Sequence, residues 1–243
     1  MKRIPLFAIF LTLLSSVGSA AEEEPPKPGF NEHTFKGLEF RSIGPAFMSG
    51  RIADIAVDPT NQSTWYVAVG SGGVWKTRNR GTTWEPIFDD EASYSTGCLT
   101  IDPNNPNVLW LGTGENVSGR HAGYGNGVYR SRDGGQNWEN MGLEGSERIG
   151  MIRVDPRDSN TIFVAAQGPL WSAGGVRGLY KSTDGGETWR KVLGDGLGNT
   201  DIDDQYTGVS EVHMDPGNPD VLYAVSWQRF RNVAVLLDGG PGT

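Results

Sequence analysis

Apolar and polar positions alternate in short runs along this chain, and the runs recur. Ile52-Ala53-Asp54-Ile55-Ala56-Val57-Asp58-Pro59 returns as Leu99-Thr100-Ile101-Asp102-Pro103, as Ile152-Arg153-Val154-Asp155-Pro156 and as Val212-His213-Met214-Asp215-Pro216. Each predicts a strand ended by an Asp-Pro turn. Period-two alternation with β-branched residues suits a half-buried pleated surface, Asp accepts from backbone N–H groups, and Pro presets φ for the next turn position. A second strand follows each turn, around Tyr66, Leu109, Phe163 and Leu222, and a third follows at Val74-Trp75-Lys76, Val128-Tyr129-Arg130 and Leu179-Tyr180-Lys181.

The third strand runs into the most regular signal in the chain. It reads Thr77-Arg78-Asn79-Arg80-Gly81-Thr82-Thr83-Trp84, then Ser131-Arg132-Asp133-Gly134-Gly135-Gln136-Asn137-Trp138, then Ser182-Thr183-Asp184-Gly185-Gly186-Glu187-Thr188-Trp189. Such a hairpin needs a carboxylate accepting the N–H groups of its own turn, a Gly at positive φ, and a Trp that covers the turn. Asn79, Gly81 and Trp84, Asp133, Gly135 and Trp138, and Asp184, Gly186 and Trp189 are therefore expected to be structural. Asn79 departs from the pattern, but it too accepts a hydrogen bond, so the first turn is expected to form. At these residues the chain resembles the Asp-box (BNR) repeat.

Four short strands per unit of about 50 residues describe a propeller blade. The fold class expected is all-β: a β-propeller of four-stranded antiparallel blades with Asp-box hairpins, three complete and a fourth partial. Asp238-Gly239-Gly240 lacks the preceding Ser/Thr and has Thr243 in the Trp position, so it reads as a failed box or a linker, with the outer strand of the fourth blade missing. Closed propellers hold about 4–8 blades, so the remaining blades are expected from a longer chain or a partner.

Composition narrows the function. The 35 Gly and 14 Pro suit many tight turns, and 21 Lys plus Arg against 29 Asp plus Glu give a net charge of −8, which argues against nucleic acid as a partner. The lone Cys98 excludes an intrachain disulfide and cysteine-type zinc clusters. Lys2 and Arg3 before an apolar stretch, then Gly18-Ser19-Ala20-Ala21, predict a signal peptide over 1–21 and a secreted or periplasmic protein. An acidic, Pro-rich linker is expected over 22–36 and the propeller fragment over 37–243. No later segment could span a bilayer.

Alternating hairpins put the Asp-Pro turns and the Asp boxes on one face. The variable loops 89–96, 115–126, 142–150, 167–177 and 194–208 fall on the other, where recognition is expected. Their candidate ligand-binding residues are Glu115, Arg120, His121, Tyr124, Trp171, Arg177, Asp203, Asp204 and Tyr206, since aromatics beside carboxylates and arginines suit a carbohydrate or an extended peptide. Tyr124 and Trp171 have the alternative of packing their own loops. Asp201-Ile202-Asp203-Asp204 lacks the Gly and distal Glu of an EF-hand loop, and His33, His121 and His213 lack zinc spacing, so no metal or cofactor is assigned.

Phe40-Arg41-Ser42-Ile43-Gly44-Pro45 followed by Ser49-Gly50-Arg51-Ile52 resembles the opening of exported proteins grouped with the sortilin (Vps10) N-terminal propeller, often labelled glycosyl hydrolases. The repeats are also similar to those of sialidases and of xyloglucan-degrading glycosidases. In the latter, an Asp-x-Gly-Gly after the second strand supplies one of two catalytic carboxylates, and here the matching stretch is Gly70-Ser71-Gly72-Gly73, with Gly70 at the Asp position. Catalytic residues are therefore unassigned. The resemblance implies a binding or scaffold module for a carbohydrate or peptide, with a glycoside hydrolase as the alternative.

Overall fold

The alternating runs fold into four antiparallel sheets. The computed structural model describes residues 34, 36–37, 51–117, 119, 121–193 and 205–239, so the expected signal peptide, the sortilin-like opening before residue 51, Arg120, Asp203 and Asp204 lie outside the described residues. The chain divides into two units, 1–47 and 48–243, and the sheets belong to the second.

The first sheet is β1 (Ile52–Val57), β2 (Trp65–Val69), β3 (Gly73–Thr77) and β4 (Glu85–Pro86), hydrogen-bonded in that order. The second is β5 (Thr96–Asp102), β6 (Asn105–Thr113), β7 (Val128–Ser131) and β8 (Glu139–Asn140). The third is β9 (Ile149–Asp155), β10 (Asp158–Ala166), β11 (Gly178–Ser182) and β12 (Arg190–Leu193). The fourth has three strands, β13 (Thr207–Asp215), β14 (Asn218–Arg231) and β15 (Leu236–Gly239). Asp238 and Gly239 thus pair with Arg229 and Gln228 in a ladder, which corrects the reading of this stretch as a failed box or linker.

The sheets are arranged as propeller blades. First strands lie side by side, β1 against β5, β5 against β9 and β9 against β13, and among the described residues β13 and β14 are not packed in that way against β1. A Cβ on Gly97 would overlap the carbonyls of Gly114 and Ile149, so glycine lets neighbouring first strands approach this closely.

Three apolar layers fill the seams. Tyr66, Ala68, Val74 and Phe88 of the first blade meet Leu99, Leu109, Leu111 and Tyr129 of the second. Cys98, Trp110, Val128 and Met141 meet Ile149, Ile152, Val154, Ile162 and Val164. Phe163, Ala165 and Leu179 meet Val209 and Val212. Burial of Cys98 in the middle seam pushes its thiol pKa up to about 12, because water no longer stabilises the thiolate.

The punctuating turns form as their residues dictate. Asp58, Asp102, Asp155 and Asp215 each accept backbone N–H groups of the following turn through Oδ1, at 2.8 Å for the shortest contact in each. In the box hairpin between β7 and β8, Asp133 Oδ1 accepts from the hydroxyl of Ser131 and from the amides of Gln136 and Asn137, all at 2.9 Å. Asp184 does the same with Ser182 at 2.7 Å and Thr188 at 2.9 Å. Asn79 accepts from Thr77 Oγ1 at 2.9 Å and the Thr83 amide at 2.8 Å, so the first box is formed without a carboxylate.

The box tryptophans correct one expectation. Trp138 donates from Nε1 to the carbonyl of Ile87 at 2.7 Å and packs edge-on against Phe88, while Trp189 donates to the carbonyl of Met141 at 2.7 Å and packs edge-on against Trp110. Each indole therefore crosses to the preceding blade instead of covering its own turn. Trp84 stays near its own Gly81 and is 39% exposed. The crossing is reciprocated: Lys76 of the first blade donates to the carbonyl of Gly134 at 2.7 Å, and Arg130 of the second donates to that of Gly185. Both cations lie over an aromatic of their own second strand, Tyr66 and Trp110.

Candidate functional site

The first strands enclose a groove of about 880 Å³. It runs from the Asp-Pro end, at Val57 and Pro103, to the loop end, at Arg51, Glu115, Asn116 and Gly150, with Asp54, Arg153 and Glu211 along its walls. This groove thus follows the first strands and is not confined to the variable loops, and the Asp133 and Asp184 turns do not line it.

At the loop end one carboxylate organises its surroundings. Glu115 follows β6 and is 2% exposed. Its Oε1 accepts from Arg51, which precedes β1, and its Oε2 accepts from the Gly123 amide at 3.4 Å. The Glu115 amide donates to Ser95 Oγ at 3.1 Å, and Ser95 donates to the carbonyl of Gly70 at 3.0 Å. Arg51 Nη1 also lies 2.8 Å from Nε2 of His121.

Gly70 belongs to the same cluster. A Cβ at residue 70 would overlap the Glu115 carboxylate, so the volume that an Asp at this position would enter is filled by a carboxylate from the neighbouring blade.

Beside it lies a second polar layer. Gln167 Nε2 donates to Asn116 Oδ1, and buried Arg229 donates to Gln167 Oε1 at 2.5 Å and to Asn116 Oδ1 at 3.4 Å. Arg148, also buried, contacts Glu147 at 3.3 Å. Burial pulls the pKa of both arginines below the ordinary value, Glu147 opposing the shift at Arg148 and the charge of Arg148 adding to it at Arg229. This layer links the second, third and fourth blades at the loop end.

The sequence candidates divide. Glu115 lines the groove, and His121 joins it through Arg51. Tyr124 and Trp171 are exposed. Tyr206 packs its ring on Phe230 at 4.9 Å, and its carbonyl accepts from Arg177 Nη1 at 3.0 Å. Arg177 itself is buried and donates to the carbonyls of Gln167, Pro169, Ser172, Gly174 and Tyr206, so its guanidinium ties loops together. Arg148 and Arg229 belong to the expected loop face, and only the closure of three blades brings them together with Gln167. No group of three or more His, Cys, Asp or Glu able to hold a metal occurs among the described residues. Among them, too, no helix is long and apolar enough to cross a membrane.

The BNR/Asp-box repeat model matches residues 129–140 and 180–191. Xyloglucanase Xgh74A of Acetivibrio thermocellus is 28% identical over 223 residues, covering 81% of this chain and 25% of that protein. A probable oligoxyloglucan-reducing end-specific xyloglucanase of Neosartorya fischeri is 28% identical over 158 residues, covering 58% of this chain and 17% of its own length. The chain thus spans a quarter or less of these relatives. Among solved structures, an ancestral GH74 enzyme superposes with a TM-score of 0.57 at 20% identity over 76% of this chain and 23% of its own, and the Niastella koreensis GH74 enzyme with 0.53 at 21% over 72% and 24%. The chain therefore carries BNR/Asp-box repeats in a β-propeller fold resembling that of GH74 xyloglucanases.

Proposed function

We propose that this chain is an exported glycan-binding propeller module, which holds a polysaccharide of the xyloglucan type at the loop end of its axial groove without cleaving it. The observation that carries the reading is the arrangement at Gly70. The position that would bear a carboxylate in the xyloglucanase-like motif has no side chain, and the Glu115 carboxylate that fills its place is bound to Arg51. A carboxylate engaged in this way positions an arginine on the groove wall with a histidine beside it, and both can hydrogen-bond sugar hydroxyls. Exposed Tyr124 and Trp171 supply apolar faces of the kind sugar rings stack on. Export rests on the leader over 1–21.

The second reading, a glycoside hydrolase, has one specific support: Glu115 and Glu211 both line the groove, and hydrolysis needs two carboxyl groups flanking the bond. Isothermal titration with xyloglucan oligosaccharides, alongside reducing-end release from the polymer, separates the two. Binding without release is expected. Release that disappears in Glu115→Gln would replace the binding module by the hydrolase, and absence of both binding and release would remove the glycan reading altogether.

A further inference from the structure

The seam between the first and second blades and the seam between the second and third are built alike and finished differently at the rim. In each, a third-strand cation paired with the second-strand aromatic donates to a glycine carbonyl in the next blade's box, Lys76 to Gly134 and Arg130 to Gly185. Beyond that bond Arg130 reaches two carboxylates, Glu139 of its own blade at 2.8 Å and Glu187 of the next box at 3.2 Å, so an ion-pair bridge spans the mouth of its seam. The ladders and the box pattern give Lys76, Glu85 and Gln136 as the corresponding residues of the first seam. A lysine has no fork to join the other two. Glu85 turns to Arg78, and Gln136 donates to the Asp133 carbonyl of its own turn at 3.0 Å. The mouth stays open as a recess of about 640 Å³.

Lys76 lines this recess and is 7% exposed. The Gly134 carbonyl is its one hydrogen-bond acceptor among the described residues, so an ammonium with three donors keeps donors beyond that bond and its contact with the Tyr66 ring. Burial pulls its pKa below the ordinary lysine value, and the charge of Arg78 adds to the shift. Asp89, Asp90 and Glu91 line the same recess, with burial raising the Glu91 pKa and the charge of Asp90 adding to it. Ile87 and Trp138 supply its apolar wall.

We infer that this recess is a second carbohydrate site, which takes a neutral mono- or disaccharide unit between the first and second blades, with Lys76 donating to a sugar hydroxyl. The charges choose the class. An anion meets three carboxylates and a cation meets Lys76 and Arg78, whereas a hydroxyl accepts from an ammonium through its oxygen and donates to a carboxylate through its hydrogen. The indole of Trp138 beside those groups gives a sugar ring an apolar contact, and the volume lies within the range of about 300–1,000 Å³ usual for small-ligand sites. None of these residues lines the groove along the first strands, so the site stands whether or not that groove holds a glycan.

Amide NMR of the full chain titrated with cellobiose, glucuronate and glucosamine, each over about 0.1–20 mM, tests it. Cellobiose should shift the amides of Gly134, Gly135 and Gln136 and the indole N–H of Trp138, and should bind at least about tenfold more tightly than either charged sugar. Lys76→Arg combined with Gln136→Glu rebuilds the bridge of the neighbouring seam, and should weaken cellobiose binding at least about tenfold while melting no lower than the parent. Asp89→Ala, at an exposed position, should weaken binding without moving the melt, and keeps the test open if the double variant does not fold. Shifts confined to other residues, no binding, a charged sugar held as tightly as cellobiose, or parental affinity in either folded variant would each overturn the inference.

Discussion

Trp138 of the second blade donates its indole N–H to the carbonyl of Ile87 in the first, across a seam that Lys76 crosses the other way to reach Gly134. An Asp box in this chain is thus a clasp between blades as much as a turn within one. The carboxylate shapes the hairpin, and the shaped hairpin offers a carbonyl and an indole to its neighbour.

The clasp separates the three tryptophans energetically. Trp138→Ala and Trp189→Ala remove a ring packed in a seam together with its hydrogen bond, and each should cost about 3–5 kcal/mol. Trp84→Ala removes a ring that crosses no seam and should cost clearly less. Urea unfolding of the three variants checks the order; equal losses would show that the rings serve only their own turns.

The cation is the other half. Lys76→Met keeps the stem over Tyr66 but leaves the Gly134 carbonyl without its donor, and should cost about 1–3 kcal/mol. Thermal melting of Lys76→Met against Lys76→Arg reads this, with Arg expected to recover most of the loss.

Acid should loosen the second and third boxes and spare the first. Hydrogen bonds hold Asp133 and Asp184 at about 2, the largest effects coming from the side chains of Asn137 and Thr188 respectively, against an ordinary value of 3.8. Because the folded value is the lower one, the contribution is complete above about 3.8 and is lost as pH falls toward about 2. Unfolding free energy measured across that window should fall less steeply in an Asp133→Asn, Asp184→Asn double variant. Asn79 does not titrate, so Asn79→Asp should make the slope steeper.

Restoring a side chain at residue 70 should collide with Glu115. Gly70→Asp alone should destabilise by about 1–3 kcal/mol, since the new Cβ overlaps a buried, arginine-bound carboxylate. Pairing it with Glu115→Gly should recover much of that loss. A double-mutant cycle with no coupling would show that the two residues do not share one volume.

The strands, the Asp-Pro stops and the box hairpins were legible because each is local: alternation and a carboxylate a few residues from its donors are both visible in sequence. Tyr66 and Trp110 could be placed on strands, but what covers them lies a repeat away. The cations were within reach, as Lys76, Arg130 and Lys181 each precede the first residue of a box, yet their acceptors stand in the following blade for the two that cross. Glu115 and Gly70 are 45 positions apart, and no spacing rule joins them. Arg177 reads in sequence as one more surface charge, and the five loop carbonyls that its planar cation gathers are visible only in the fold.

Cys98 turns the middle seam into its own reporter. A thiol pushed up to about 12 and shut between the second and third blades resists alkylation while the two stay together. The rate at which an electrophile marks this sulfur therefore counts how often those blades part. Glycan added to the solution, or a substitution at Trp189, can be ranked by how far it slows or hastens that clock.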